Sequence, residues 1–319
     1  MEPPFEMTTI TLEIASLAGG PTTRHGGGTV PTVAHPAASA WPRLPLGSRL
    51  GRYRVGSLLG RGGMGAVYLG HDPVLDRPVA LKVALESWGE DAEPRMAREA
   101  RMLAQVSDPH VVQIYDVGRF CGGTFVAMEP VHGQTLSAWC REGRRHRQVL
   151  DVFVQAGRGL AAIHRAGLVH RDFKPANVVV GDDGRVRVLD FGLAVGTGTR
   201  APSVDAGEST LEDTRLTTTG ATLGTPAYMA PEQHRGGAID ERADQFAFCL
   251  ALFEALVGRR PYRGSTACEL LEQKLTESAR AQRRRLPRRV RGAVMRGLRA
   301  ERSLRWPSME PLLGALATA

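Results

Sequence analysis

An α+β architecture is predicted, with a small antiparallel sheet and one helix first and a mainly helical body after it. Three observations predict it. From Tyr53 onward the chain runs in short strand-like stretches, YRVGSLLG, AVYLGH and VALKVAL, separated by Gly, Pro and Asp turn signals. The segment AEPRMAREARMLAQV, residues 92–106, then spaces Met96, Ala100 and Leu103 at the three- and four-residue intervals of an amphipathic helix. After two more strand-like stretches, VVQIYDVG and GTFVAMEPV, helical patterns take over beyond Gly133.

The elements follow in that order. Helices are predicted over TLSAWCREG and over 148–166, 243–258, 268–279 and 289–299, with a hairpin in VVVGDDGRVRVLDFG and a last helix in EPLLGALATA. Residues 1 to about 50 mix Thr, Gly, Pro and Ala without either periodicity and read as a disordered tail. Residues 197–224, rich in Thr, Gly and acidic residues, read as a mobile loop inside the helical part.

Composition narrows the function classes. A chain of 319 residues has ample material for a buried core. Its net charge of +8 could point to a polyanion, but the basic residues are spread along the chain and nearly all are arginine. An anionic small-molecule site is the favoured reading over DNA binding. The four cysteines form no CxxC pair, and no His/Cys cluster has zinc spacing, so a reducing cytoplasm is expected. MEPPFEMTTI is acidic and leads into no apolar run, which argues against a secretory signal. The most apolar stretch, FAFCLALFEALVG, contains Glu254 and is too short to span a bilayer, so no membrane partner is expected.

Only three lysines occur among the 41 basic residues: Lys82, Lys174 and Lys274. Lys174 lies in HRDFKPANVVV, between Asp172 and Asn177, on a loop between a predicted helix and the hairpin. Asp172 can orient a hydroxyl and accept its proton, Lys174 can neutralise a phosphoryl group, and Asn177 offers an amide oxygen to a hard cation. Asp190, heading DFG, would supply a charged metal ligand. Phosphoryl transfer needs such groups because its transition state spreads negative charge over oxygens held in line. Lys82 emerges between apolar neighbours in VALKVAL and needs an anion; Glu99 on the following helix is the candidate, with Glu93 second. In GRGGMGAVY, Gly60, Gly62, Gly63 and Gly65 sit at a hairpin tip, where backbone amides can approach a phosphate.

Together these motifs resemble the eukaryotic-like (Hanks-type) protein Ser/Thr kinases of bacteria, over about residues 53–315. They are GRGGMGAVY, VALK, HRDFKPAN, DFG and GTPAYMAPE at 224–232. The resemblance implies a bilobal protein-kinase fold in residues 51–315. Its N-lobe would span 51–130, five strands and one helix, its C-lobe 131–315, and its activation segment 190–232. ATP would lie against Leu59, Gly60, Gly62, Gly63, Gly65, Val67, Ala80, Lys82, Met128, Glu129 and Val131, with Met128 as gatekeeper and Glu129 and Val131 giving backbone hydrogen bonds. Pro130 departs from the usual residue between them and removes one N–H. Lys82 would contact the α- and β-phosphates and pair with Glu99, Asp172 would be the catalytic base, and Asn177 with Asp190 would hold Mg²⁺. Thr225 would contact the catalytic Asp, Glu232 would pair with Arg305, and Asp244 would anchor the catalytic loop.

The same resemblance implies protein substrates with Ser or Thr acceptors. Arg171 would bind a phosphate on the activation segment, with Thr217 and Thr219 in LTTTGAT as the favoured sites and a transient homodimer as the route to them. Two rival readings are a pseudokinase scaffold, opposed by the presence of all five catalytic groups, and a nucleic-acid-binding module on the arginines of 283–305. Arginines 288, 291 and 296 do not share one helical face, which argues against the latter.

Overall fold

The computed structural model describes residues 44–62, 65–85, 102–120, 123–189, 225–276 and 279–317. The first part is one antiparallel sheet in the order β1-β2-β3-β4-β6-β5, comprising Arg49–Leu50, Tyr53–Gly62, Gly65–Asp72, Arg77–Leu85, Gly123–Met128 and Ile114–Phe120. This is six strands rather than five. The extra one, β1, folds back on β2 so that Leu50 opposes Tyr53 across a turn at Gly51, whose φ of +57° suits glycine. Leu50 is buried, and the Leu44 N–H donates to the Tyr68 hydroxyl at 3.3 Å. Residues 44–50, expected in the disordered tail, are therefore the edge of the sheet. The helix expected over 92–106 lies mostly outside the described residues; its last turn, 102–104, is helical.

Strand alternation sends the sheet's two faces into two different cores. Tyr53, Val55, Ala66, Tyr68, Val79, Leu81, Val83, Phe125 and Ala127 cluster on the outer face. Ala80, Val126 and Met128, one residue out of step, join the large core of the helical part. The same register puts Lys82 opposite both Val67 and Val126 on the inner face, and Ala80 opposite both Leu69 and Met128.

A second sheet, β7-β8-β9 (Gly133–Thr135, Val178–Gly181, Val186–Val188), opens the helical part. Helix α1 (Leu136–Arg141) starts where the Thr135 side chain accepts from the Ala138 N–H, and α2 (His146–Arg165) follows. Near its middle, α2 carries Gly159, where a Cβ would sit 2.4 Å from the His110 carbonyl oxygen. Glycine costs helix stability but admits this close approach of backbone to backbone. Two short helices, α3 (Thr225–Tyr228) and α4 (Pro231–His234), precede α5 (Glu241–Val257). Helix α5 is apolar nearly all round, as a fully enclosed helix should be. Asp240 caps its first turn and Gly258, at φ +77°, ends it.

Helices α6 (Ala267–Leu275), α7 (Ala279–Gln282), α8 (Arg288–Gly297) and α9 (Met309–Ala317) complete the body. In α8 the residues Val290, Ala293, Val294 and Gly297 are buried, so the arginine-rich 283–305 stretch includes a packed helix. Among the described residues no helix is long and apolar enough to cross a membrane.

Candidate active site

The loop after α2 is shaped by an acid from inside α5. Asp244 is almost wholly buried, and its two oxygens accept the backbone N–H groups of His170 and Arg171, both at 2.7 Å. His164 Nε2 lies 2.8 Å from the same carboxylate. Burial alone would raise the Asp244 pKa, yet the hydrogen bonds and the two imidazoles hold it below the usual carboxylate range. The chain turns sharply here: Arg171 has φ +66°, a left-handed conformation uncommon for a residue with a side chain.

That turn delivers the next residues to one point. The Asp172 Oδ2 accepts from Lys174 Nζ at 2.7 Å and from Asn177 Nδ2 at 3.1 Å. Asn177 Nδ2 also donates to the Asp172 carbonyl at 2.9 Å, which leaves the amide oxygen for another partner. Lys174 and Asp172 remain partly exposed, so a substrate can reach them. The backbone of Leu189 is tied to the same loop: its N–H donates to the Asn177 carbonyl at 2.8 Å, and its carbonyl lies 2.8 Å from His170 Nε2. The sequence thus places Asp190 one residue beyond a position fixed to the Asn177 loop; Asp190 itself lies outside the described residues.

The inner face of the first sheet joins the core of the helical part through Ala80, Val126 and Met128. Gly60 opposes Val67 across β2 and β3, and Val67 opposes Lys82 across β3 and β4. Leu59, Gly60, Val67 and Lys82 are half-buried, while Ala80 and Met128 are buried. Gly65, paired with Gly62 at the hairpin, has φ +148°, which a side chain would strain. After Met128 the Glu129 N–H donates to the Gln113 carbonyl at 2.9 Å, so that donor is used within the fold. Pro130 has no N–H, which makes Val131 the next backbone donor along the chain. Gly63 and Glu99 lie outside the described residues, as do Thr217 and Thr219; of Thr225 only the backbone, at the start of α3, is described.

Arg305 and Glu232 form a buried fork. Arg305 Nη1 and Nη2 donate to the two Glu232 oxygens at 2.6 and 2.9 Å. The carbonyls of Arg299, Arg242 and Ala300 take the remaining donors, so all five N–H groups are used. Three polar contacts around the site had no signal in sequence spacing. Arg187 joins Glu129, at 3.1 Å, to Asp183, at 2.8 Å, and its hydrogen bonds hold the Asp183 carboxyl well below its ordinary pKa. The Tyr228 hydroxyl donates to Glu254 at 2.5 Å. Gln233 Nε2 donates to the Arg171 carbonyl at 2.7 Å, tying α4 to the loop that carries Asp172.

A two-core molecule with a glycine hairpin, a lysine strand and an Asp-Lys-Asn loop has the parts of a protein kinase domain. The profile of the protein kinase domain family matches residues 53–302, and the chain belongs to that family. ATP and a divalent cation are used throughout it. The chain is 32% identical over 282 residues to "Serine/threonine-protein kinase PrkC" of Bacillus subtilis, covering 86% of this chain and 41% of that protein. To "Serine/threonine-protein kinase PknL" of Mycobacterium tuberculosis it is 38% identical over 242 residues, covering 74% and 57%. The chain thus spans roughly half the length of these relatives. The crystal structure of the Mycobacterium tuberculosis PknI kinase domain superposes with a TM-score of 0.65 at 25% identity, covering 86% of this chain and 99% of that one.

Proposed function

We propose that this protein transfers the γ-phosphate of ATP to Ser or Thr hydroxyls of other proteins, with Mg²⁺ as the cation. The observation that carries the proposal is the Asp172 Oδ2, gripped by both Lys174 and Asn177 in a loop that Asp244 fixes from below. Asp172 then orients the acceptor hydroxyl and takes its proton as the oxygen–phosphorus bond forms, while the bond from the γ-phosphorus to the bridging oxygen breaks and ADP leaves. Lys174 screens the phosphoryl oxygens. Lys82 holds the α- and β-phosphates, with Glu99 as its partner. Leu59, Val67, Ala80 and Met128 enclose the base, and Glu129 and Val131 bond its edge.

Asn177 and Asp190 would hold Mg²⁺, whose charge neutralises the phosphate oxygens. The Asn177 amide suits that role because its N–H groups already serve Asp172, leaving the oxygen for a hard cation. A cytoplasmic setting is in keeping with the free cysteines Cys140, Cys249 and Cys268.

The test is transfer of labelled γ-phosphate with Mg²⁺ by the wild type and by Asp172→Asn. Label in the wild type and a loss of at least a hundredfold in the variant is the expected result; no label in either, with a basic protein acceptor added, overturns the proposal in favour of a scaffold. We further propose that Thr217 and Thr219 are modified in trans within a transient homodimer and that the phosphate is read by Arg171, with Thr225 next to the catalytic Asp. Mass mapping of the labelled protein should find phosphate within 214–222, and the Thr217/Thr219 double Ala variant should lose activity. Full activity in that variant together with an unmodified wild-type loop would refute it.

A further inference from the structure

Two of the three lysines serve the cleft; the third is enclosed elsewhere. Lys274, near the end of α6, has no exposed surface. Its Nζ lies 2.9 Å from the Pro226 carbonyl, 2.9 Å from the Met229 carbonyl and 2.9 Å from His234 Nε2. An ammonium has three donors, and here it meets three acceptors converging on one atom. Arginine could not replace it, because its donors are spread over a planar fork. In a chain whose basic residues are otherwise almost all arginine, that is a physical reason for a lysine at this position.

The three acceptors belong to one stretch of chain. Pro226 lies in α3, Met229 in the link after it and His234 at the end of α4. That stretch is fastened to the catalytic loop at its other side, where Gln233 bonds the Arg171 carbonyl, one residue before Asp172. The same Gln233 accepts the Ala230 N–H at 2.8 Å. Lys274 therefore sits at one end of a short relay: ammonium, the 226–234 stretch, Gln233, Arg171, Asp172. ATP-facing residues on the first sheet take no part in it.

We propose that Lys274 is a positioning residue for the protein acceptor, holding Pro226–Met229 in the shape that seats the acceptor chain beside Asp172, without acting on ATP. This rests on the kinase reading above. Its charge state supports the role. None of the three acceptors is anionic, and among the described residues the charged group acting on Lys274 is Arg260, of like sign. Burial, then Arg260, push the lysine down to about 7, while burial and Lys274 itself push His234 down to about 4, so the imidazole is neutral and free to accept. The grip thus weakens as pH rises past 7.

The experiment compares wild type, Lys274→Met, Lys274→Arg and His234→Leu, using ATP and a synthetic peptide of residues 210–224 as acceptor. Transfer to the peptide and hydrolysis of ATP by water are measured separately. In Lys274→Met, kcat/KM for the peptide should fall at least tenfold, while hydrolysis and the KM for ATP change less than twofold. Lys274→Arg should not rescue it, and His234→Leu should show the same split more weakly. Amide hydrogen exchange of the same proteins, read in 225–234 and in 241–257, is the second readout. Faster exchange confined to 225–234 is expected. Equal loss of transfer and hydrolysis, or unchanged exchange in 225–234, overturns the proposal. If the wild type neither transfers nor hydrolyses, the kinase reading falls, and the exchange data still decide whether Lys274 holds the segment. Should Lys274→Met not fold, His234→Leu decides by the same criteria.

Discussion

Asp244 and Lys274 are two buried charges that do the same job with opposite signs. Each lies on a helix and reaches up to hold the backbone of a loop at the site. Asp244 takes two N–H groups and keeps imidazoles beside it, so its charge is compensated. Lys274 takes two carbonyls and a neutral imidazole and, among the described residues, has Arg260 for its ionic neighbour. A buried charge is firmly held only when something of opposite sign or several aligned dipoles replace the water it lost. The loop carrying Asp172 is therefore fixed over the whole neutral range, whereas the segment under Lys274 is held on a group that titrates within it.

The largest effect is expected from breaking the compensated member. Asp244→Asn leaves the loop N–H groups poorly paired, and stability measured by urea unfolding should fall by about 3–5 kcal/mol, with phosphate transfer falling on the order of a hundredfold. Arg305→Lys keeps the charge but gives up the fork to Glu232, and a loss of about 2 kcal/mol is expected by the same measurement. The contrast sharpens with pH. The folded pKa of Asp244 is lowered, so its stabilisation is complete above about pH 4 and is lost only in acid. The folded pKa of Lys274 is lowered to about 7, so the unfolded chain binds more protons above that pH and stability rises with pH until the unfolded lysine titrates. From pH 7 to 9 that rise is on the order of 2 kcal/mol, and it should be absent from Lys274→Met when both proteins are unfolded in parallel. The smallest effect belongs to Glu129→Gln. Glu129 is partly exposed and Arg187 keeps Asp183, so a change below about 1 kcal/mol is expected, with the KM for ATP shifting less than threefold.

What could be read in the sequence was whatever repeats at short range or matches a family's spacing. The Asp172, Lys174 and Asn177 cluster lies within six positions of chain, and Asp244 was legible only through the family resemblance of RADQFAF. The apolar neighbours in VALKVAL marked Lys82 but could not show that the sheet's faces feed two cores, since that depends on what covers each face. The edge strand Arg49–Leu50 was missed because two residues have no periodicity; burial of Leu50 under the sheet orders them. Lys274 was invisible for a related reason. In ACELLEQKL a lysine reads as the solvent side of a helix, and only contacts 40 to 48 residues away make it internal. The Glu129–Arg187 pair likewise joins residues far apart in the chain, with no local pattern to announce it.

Position 171 sets thermal endurance against use. With φ at +66°, the backbone there would be more at ease with glycine, by about 1 kcal/mol, whereas the guanidinium is what the activation segment would need. Arg171→Gly should thus yield a sturdier protein that is a poorer enzyme. Selecting a library for heat resistance alone ought to enrich glycine at this site, and selecting it for phosphate transfer ought to restore arginine, so the residue recovered would record which demand had been imposed.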